Sequence, residues 1–273
     1  MELPVAPQTY APTAEALVRA LHRVDVMLAR TAAQEGELPG ALAFTNPRRP
    51  AVAMVNCALE VDVPKGSSAG EAVGAVEAHF AQAGVPCHSL QVGAASWPPE
   101  LVQALEQRGY RRGPQVSVYV LDRFVAPKQP CAALQVIPGR AAYVELREFY
   151  TRAGQAQGLP VDAVLAQDLA DTRIDHLDEP RLEVLLGRIE GRPAGAISLV
   201  NLGDVGVIDD IATLPPYRGR GVAATLLDRA IELARRSVLK HVILECQPDN
   251  PATRLYEAMG FKAVASHCKY VRG

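Results

Sequence analysis

The feature that most constrains this chain is a short glycine-containing turn, Arg218-Gly219-Arg220-Gly221-Val222-Ala223. The mostly apolar segment before it, 205–214, predicts a strand, and the apolar spacing within 224–236 predicts a helix. Where a strand enters a helix through such a turn, backbone N–H groups and the positive end of the helix dipole point at the same place. Gly219 and Gly221 let the backbone approach an anion without an intervening Cβ. The turn therefore predicts a phosphate-binding loop.

The spacing of the turn excludes two common phosphate loops. No Gly-Lys-Ser/Thr closes it, as a P-loop requires, and the dinucleotide spacing Gly-x-Gly-x-x-Gly does not occur there. The turn matches the pattern Gln/Arg-x-x-Gly-x-Gly/Ala, with Arg218, Gly221 and Ala223 at the three specified positions. A second segment, 250–261, contains an Asn, then Leu-Tyr, then Gly-Phe. The two segments occur as a linked pair of motifs.

Together the two motifs resemble the GNAT superfamily of N-acetyltransferases, in which the turn holds the pyrophosphate of acetyl-CoA. The resemblance implies that Asn250 contacts the CoA arm and that the Tyr256 hydroxyl is the general acid beside the thioester sulfur. It implies that backbone N–H groups of the strand before the turn hold the pantetheine arm and the oxyanion, namely those of Ile211, Ala212 and Thr213. It assigns the pyrophosphate to Arg218, Gly219, Arg220, Gly221, Val222 and Ala223.

The second motif departs from the family by one residue, since Asn250 is six residues before Tyr256 where the family usually has seven. Either one residue is deleted after Asn250, or Asp249 occupies the usual position. We favour the deletion, because an Asn followed by Pro251 predicts a helix N-cap and a first helical residue.

The general base is not where the resemblance would place it. Many family members carry a Glu eleven residues before the Gln or Arg of the loop, and that position is Val207 here. Two candidates remain: Asp209, two residues further along the same strand and so on the same face, and Glu245. The spacing of Glu245 to Asn250 resembles that of the ribosomal-protein N-terminal acetyltransferases. Asp210 is expected to point to the opposite face.

The chain contains an internal repeat. Residues 104–111 align without a gap on 255–262, which pairs Gly109 with Gly260 at an offset of 151, and each copy leads to a strand ending in Tyr-Val. The repeat predicts a degenerate GNAT-like domain over 1–125 and a catalytic GNAT domain over 133–273. The expected fold class is α+β, with two GNAT-like domains that each form a mixed, mostly antiparallel sheet flanked by helices.

The two halves differ at the positions that carry chemistry. Where the second half has its phosphate loop, the first has 64–69, which lacks the Arg and the Gly-x-Ala of the motif. Where the second half has Tyr256, the first has Leu105, which has no proton to give. We therefore expect the first half to cover the second half's sheet or to form one wall of a substrate cleft. Its layout resembles that of the mycothiol synthases.

The amino-acid composition and net charge limit the classes of partner that the protein is expected to bind. The 273 residues are 49% hydrophobic and 21% charged, as in ordinary globular proteins. A net charge of −2 argues against nucleic acid or an anionic membrane as partner. No apolar run is long enough to span a bilayer, and residues 1–4 lack the features of a signal peptide.

The cysteines and histidines predict a reduced, metal-free protein. No pair among them has metal-ligand spacing, and the number of cysteines is odd. We therefore expect free thiols, a cytoplasmic protein and no metal site. The cysteines are Cys57, Cys87, Cys131, Cys246 and Cys268.

The sequence thus leads to two functional hypotheses. The first is an N-acetyltransferase that transfers the acetyl group of acetyl-CoA, its co-substrate, to a primary amine by direct attack in a ternary complex. The amine would belong to a small molecule, a peptide or a protein, and the enzyme would be a monomer or homodimer. The alternative is a non-catalytic acyl-CoA-binding sensor or partner protein, which Val207 favours and Tyr256 disfavours.

Overall fold

A computed structural model describes residues 12–93, 97–156 and 161–272. The expectation about a leader rests on residues 1–4, which lie outside these ranges. In chain order, the first half forms α1 (Ala14–Ala32), β1 (Gln34–Leu38), β2 (Ala41–Thr45), β3 (Cys57–Val61), α2 (Ala69–Ala83), β4 (Ser89–Val92), α3 (Pro99–Gln107), β5 (Tyr110–Arg112) and β6 (Val116–Leu121). The second half forms β7 (Gln135–Pro138), α4 (Tyr143–Gln155), α5 (Ala163–Asp175), β8 (Leu182–Ile189), β9 (Arg192–Asn201), β10 (Val205–Thr213), α6 (Val222–Arg236), β11 (His241–Cys246), α7 (Thr253–Ala258), β12 (Phe261–His267) and β13 (Tyr270–Arg272).

The strands form two mixed sheets, which confirms the expected fold class. The six-stranded sheet has the order β1-β2-β3-β4-β13-β5, and the seven-stranded sheet has the order β12-β6-β11-β10-β9-β8-β7. The parallel pairs are β3 with β4 and β10 with β11, and the other pairs are antiparallel. Strand β9 is central and apolar along almost its whole length, because helices cover both of its faces.

Each half gives its last strand to the other half's sheet. Strand β6 lies between β11 and β12, and β13 lies between β4 and β5. The two insertions have the same register: Tyr119 pairs with Ala263, and Tyr270 pairs with Arg112. Both partners in one pair are 151 residues from their counterparts in the other, the offset that aligns Gly109 with Gly260. The exchange is therefore reciprocal and follows the repeat.

The exchange means that the sheets do not divide where the repeat divides. The boundaries 1–125 and 133–273 describe the sequence repeat and remain a prediction for the domains. The seven-stranded sheet takes its strands from 116–267, and the six-stranded sheet closes on 270–272. Neither half of the repeat contains all the strands of its own sheet.

Helix α1 adds a second connection between the halves. Its apolar residues, including Leu17, Leu21 and Leu28, pack in one core with residues of α4, α5 and the seven-stranded sheet. Helix α6 covers the opposite face of that sheet, while α2 and α3 form a separate core on the six-stranded sheet. The first half thus covers the second half's sheet, one of the two roles expected for it.

We predict that a fragment of residues 133–273 is much less stable than one of residues 114–273. The shorter fragment lacks β6, so β11 and β12 would each lose a partner and expose an edge. Thermal unfolding and amide exchange of the two fragments measure the difference. Val118→Asp in the longer fragment is the control, because Val118 is fully buried in the core; it should remove the gain. Equal stability of the two fragments would contradict the role of the exchanged strand.

Candidate functional site

The turn between β10 and α6 leaves the start of that helix open. Gly221 is the N-cap residue with φ +75°, no side chain caps the helix, and its first turn holds no acidic residue. Among the described residues, the backbone N–H groups of 219–224 donate to no backbone carbonyl. Arg218 and Arg220 form no ion pair with any described carboxylate, and the Arg218 Nε donates to the Thr213 carbonyl at 3.2 Å. The loop can therefore receive an anion.

The corresponding helix of the first half is closed by its own side chains. Ser68 caps α2 by accepting from the Glu71 N–H, and Glu71 Oε2 accepts from the Ser68 N–H at 2.8 Å and from its hydroxyl at 2.9 Å. This capping box places a carboxylate where the second half has its open turn. The expected loss of the phosphate site from the first half thus has a structural basis.

The strands beside the open loop diverge. Strands β10 and β11 pair in parallel from Val205 opposite His241 to Ile208 opposite Leu244. Beyond that point β10 stays paired with β9 to Thr213, and β11 stays paired with β6 to Cys246. A bulge in β10 between Asp209 and Ala212 accompanies the divergence, with Asp210 at φ +52°. The described chain therefore has a gap between these two strands.

The first half has a bulge at the matching place but no gap. Glu60 in β3 has φ +53°, and the register shifts between Ala58 and Val61. Pairing with β4 then resumes, since Val61 pairs with Val92. The bulge is common to both halves, whereas the opening between strands belongs to the second half alone.

The three backbone N–H groups expected to face the ligand point in different directions. Leu214 donates its N–H to the Ala194 carbonyl of β9 at 2.9 Å. Because alternate residues of an antiparallel strand direct their N–H groups to opposite sides, the Ala212 N–H also faces β9. The Thr213 N–H faces the gap, and Ile211 lies within the bulge itself. The alternation favours Thr213 over Ala212 as an amide that a ligand in the gap could reach.

The bulge brings two carboxylates to one face of β10. Asp210 was expected to point away from Asp209, and this expectation was wrong. The Asp210 Oδ2 accepts from the Arg173 Nε of α5 at 2.6 Å, on the face that α4 and α5 cover. The positive φ at the bulge interrupts the strict alternation on which the expectation was based. Asp210 is thus held in an ion pair.

Asp209 has no such cationic partner among the described residues. Burial first, and then the neighbouring Asp210 and Glu245 carboxylates, raise the pKa of the Asp209 carboxyl to about 7. Val207, where many relatives carry a Glu, is buried in the core. Asp209 can therefore exchange a proton near neutral pH from a position beside the gap.

Glu245 and Asn250 occupy more exposed positions. The Glu245 Oε2 lies 2.8 Å from the Nε2 of His267 on β12. Asn250 is not a helix N-cap: α7 begins at Thr253 after the N-cap Ala252. The Asn250 Oδ1 instead accepts from the Ala252 N–H at 3.0 Å, an Asx turn that Pro251 does not prevent. The expected helix start at Pro251 was wrong because this turn takes up the first two residues.

Tyr256 lies beside the end of β11. Its ring packs 6.3 Å from the rings of Tyr119 and Phe261, measured between centroids. Burial, with the Cys246 thiol and Tyr119 nearby, raises the pKa of Tyr256 well above its usual value. The phenol therefore stays protonated at neutral pH and can donate a proton. Tyr119 belongs to the exchanged strand, so the first half forms part of the Tyr256 environment.

Sequence reasoning missed a polar cluster between α1 and the β12–β13 connection. Lys269 Nζ and Gln91 Nε2 both donate to Asp25 Oδ2 at 2.9 Å. The His22 and His267 rings lie 5.5 Å apart, and burial lowers the pKa of His22 to about 4. The only sequence signal was polar residues on the apolar face of a helix, which identifies no partner.

Residues 142–261 match the model of the Acetyltransferase (GNAT) family. A GCN5-related N-acetyltransferase from Kribbella flavida is similar in structure, with a TM-score of 0.63 and 16% identity over 93% of this chain and 95% of that chain. A functionally unknown conserved protein from Staphylococcus epidermidis gives a TM-score of 0.57 and 14% identity, covering 88% of this chain and 94% of that chain.

A tandem GNAT protein from the clavulanic acid biosynthesis pathway gives a TM-score of 0.51 and 14% identity, covering 74% of this chain and 67% of that chain. No curated protein matches the sequence. At these identities the structural likeness concerns the fold. The family match identifies a GNAT domain in the second half, and the resemblance read from the two motifs is confirmed.

Two further observations concern the described residues only. No helix among them is long and apolar enough to cross a membrane. No group of three or more His, Cys, Asp or Glu side chains within 12–93, 97–156 and 161–272 is arranged to hold a metal ion.

We predict that Gly219→Asp weakens CoA binding at least about tenfold, whereas Gly219→Asn changes it only a few-fold. A Cβ at Gly219 meets no atom within 4 Å, and Asp and Asn both tolerate its φ of +71°. The pair thus differs in charge alone. Gly221 is unsuitable, because a Cβ there would lie 2.3 Å from the Gln129 carbonyl oxygen. Calorimetry with CoA makes the measurement, and equal affinities of the two variants would refute an anion site at this turn.

Proposed function

We propose that this protein is an N-acetyltransferase that transfers the acetyl group of acetyl-CoA to a primary amine by direct attack in a ternary complex. The observation that carries the proposal is the contrast between the two helix starts. Helix α2 is capped by its own carboxylate, while α6 is left open beside a gap between strands and two arginines that form no ion pair with any described residue. One repeat thus has the features of a CoA site and the other does not.

The co-substrate would be bound by main chain more than by side chains. The pyrophosphate would lie on the N–H groups of 219–224, with Arg218 and Arg220 adding positive charge. The pantetheine arm would enter the gap between β10 and β11 beside the Thr213 N–H. When bound, acetyl-CoA supplies a thioester carbonyl, and a preorganised N–H group aimed at its oxygen stabilises the charge that develops there.

The protons would move through two residues on opposite sides of the gap. Asp209 would take a proton from the acceptor ammonium, so that the neutral nitrogen forms a bond to the acetyl carbon. The attacking nitrogen then releases its second proton to water, the carbon–sulfur bond breaks, and Tyr256 would give its hydroxyl proton to the departing thiolate. Solvent then returns a proton to Tyr256 and removes one from Asp209, so the enzyme is restored.

The free thiols favour a reducing compartment. All five cysteines are free and buried. We propose a cytoplasmic enzyme whose partners are acetyl-CoA and an amine, without nucleic acid, membrane or metal, acting as a monomer or homodimer.

The second candidate, a non-catalytic acyl-CoA-binding protein, is favoured by the apolar residue at Val207. Release of free thiol from acetyl-CoA in the presence of a panel of primary amines separates the two. Amine-dependent release supports the transferase. Tight acetyl-CoA binding with no release for any amine supports the sensor.

We predict that Tyr256→Phe lowers kcat by about 10²- to 10⁴-fold while acetyl-CoA affinity stays within a few-fold. The variant keeps the ring packing and removes the proton donor. Tyr119→Phe is the matched control, since its ring packs against the same tyrosine, and it should leave kcat nearly unchanged. Wild-type kcat in Tyr256→Phe would show that this residue only packs.

We also predict that Asp209→Asn lowers kcat/KM by about 10²-fold or more and removes an activity rise centred near pH 7. The pKa of the Asp209 carboxyl is higher in the folded protein than in the unfolded protein. The folded protein therefore loses stability relative to the unfolded protein as the pH rises from about 4 to about 7. The variant should therefore have a higher Tm than the wild type at pH 8.

Asp210→Asn provides the contrast, because it would remove the partner of Arg173 and should lower Tm. If Glu245→Gln abolishes activity while Asp209→Asn retains it, the Glu245–His267 pair is the base and the assignment to Asp209 is wrong.

A further inference from the structure

A cavity lies between the two halves. Its volume is about 340 Å³, and its walls come from α1, β4 and α3 on one side and from the β12–β13 connection on the other. His267 lines this cavity and also contacts Glu245 at the end of β11. The cavity therefore adjoins Glu245, one of the two carboxylates considered as the general base.

About half of the cavity wall is apolar or aromatic. Val18, Val92 and Val102 contribute aliphatic surface, and the Trp97 and Tyr270 rings lie 4.6 Å apart between centroids. Trp97 comes from the first half, while Tyr270 belongs to the exchanged strand β13. The volume lies at the lower end of small-molecule pockets, about 300–1,000 Å³. The cavity suits the apolar body of a small molecule.

One part of the cavity wall is positive. Arg112 lines the cavity, and its Nε donates to the Cys268 Sγ at 3.0 Å. No described carboxylate lies within ion-pair distance of this guanidinium. By contrast, Arg108, Arg173 and Arg188 each form an ion pair with a carboxylate. The remaining N–H groups of the planar Arg112 guanidinium have the geometry that binds a carboxylate through two parallel hydrogen bonds.

Two histidines form another polar part of the cavity wall. His22 is 7% exposed, and neither of its ring nitrogens has a partner among the described residues. The Nδ1 of His267 is also buried without a described partner. Burial keeps His22 neutral at physiological pH, so one of its ring nitrogens can accept a hydrogen bond. Unpartnered buried nitrogens are costly unless a ligand satisfies them.

We propose that this cavity is the acceptor site and that it binds a small primary amine which also carries a carboxylate, with an apolar or aromatic body between them or beside them. Arg112 binds the carboxylate, His22 and His267 face the amine, and Trp97 packs on the body. The assignment rests on the proposed acetyltransferase function. It also gives the first half a direct part in substrate selection, since Arg112, His22 and Trp97 all belong to it.

The chain offers a binding readout that does not depend on turnover. Trp97 is the one tryptophan in the sequence, so its fluorescence reports on the cavity wall. The probes are apolar and aromatic amino acids without indole fluorescence, each compared with the amine that lacks its carboxylate and with the amide of that carboxylate. We expect at least one free amino acid to change Trp97 fluorescence saturably, and its amine and amide to bind at least about tenfold more weakly.

Arg112→Gln should remove this preference by weakening the amino acid at least about tenfold, while Arg111→Gln should leave it intact. Arg111 is the preceding residue of β5 and is exposed like Arg112, but it does not line the cavity. The proposal is overturned if no amino acid changes Trp97 fluorescence, if the amide or amine binds as well as the acid, or if the two arginine variants behave alike.

The same probes separate this inference from the proposed function. Binding to the cavity without release of thiol from acetyl-CoA would leave the site standing and refute the transferase. Amine-dependent thiol release by substrates that leave Trp97 unchanged would support the transferase and place its acceptor elsewhere. Acetylation of amidated peptides as fast as of free amino acids would likewise count against the carboxylate site.

Discussion

The reciprocal exchange of β6 and β13 is the constraint on which the rest of the molecule depends. A strand in the middle of a sheet bonds on both sides, so each half needs the other to complete its hydrogen-bond ladder. The exchange also brings side chains of the first half to the second half's chemistry, because β6 carries Tyr119 to the side of Tyr256. The return of β13 draws the β12–β13 connection across the boundary between the halves and forms one wall of the cavity.

A partly exposed ion pair fixes that crossing. Lys269, at the start of the exchanged strand, donates to Asp25 on α1, and the buried Gln91 donates to the same carboxylate oxygen. Burial alone would raise the pKa of the Asp25 carboxyl, but Lys269 and Gln91 outweigh burial and lower that pKa, so Asp25 keeps its charge. Burial is the main cause of the raised pKa of the Asp209 carboxyl, and the Asp210, Glu245 and Asp25 carboxylates add to it. The charged Asp25 that helps to join the halves thus also contributes to the acid–base properties of Asp209.

The sequence predicted the features that repeat a local pattern and missed those that arise from long-range contact. The strand at β10, the helix α6 and the turn between them follow from apolar spacing and two glycines, which act within a few residues. The orientation of Asp210 could not follow from alternation, because a bulge has no reliable signature in a single strand. The exchange was equally hidden: two strands ending in Tyr-Val indicate a repeat, but nothing local to Tyr119 or Tyr270 specifies which sheet each one joins.

The asymmetry of the repeat shows how little change separates a binding loop from a closed one. Both halves keep a bulge with positive φ, at Glu60 and at Asp210, on the strand before the helix. In the first half the strands rejoin after it, and Ser68 with Glu71 closes the helix start. A carboxylate held within the same helix turn is always present at the N–H groups, so a free phosphate would have to displace it. In the second half Gly221 offers no side chain, and the N–H groups stay available to a ligand from solution. The first half, whose helix start is closed, supplies a strand, a covering helix and a wall of the cavity.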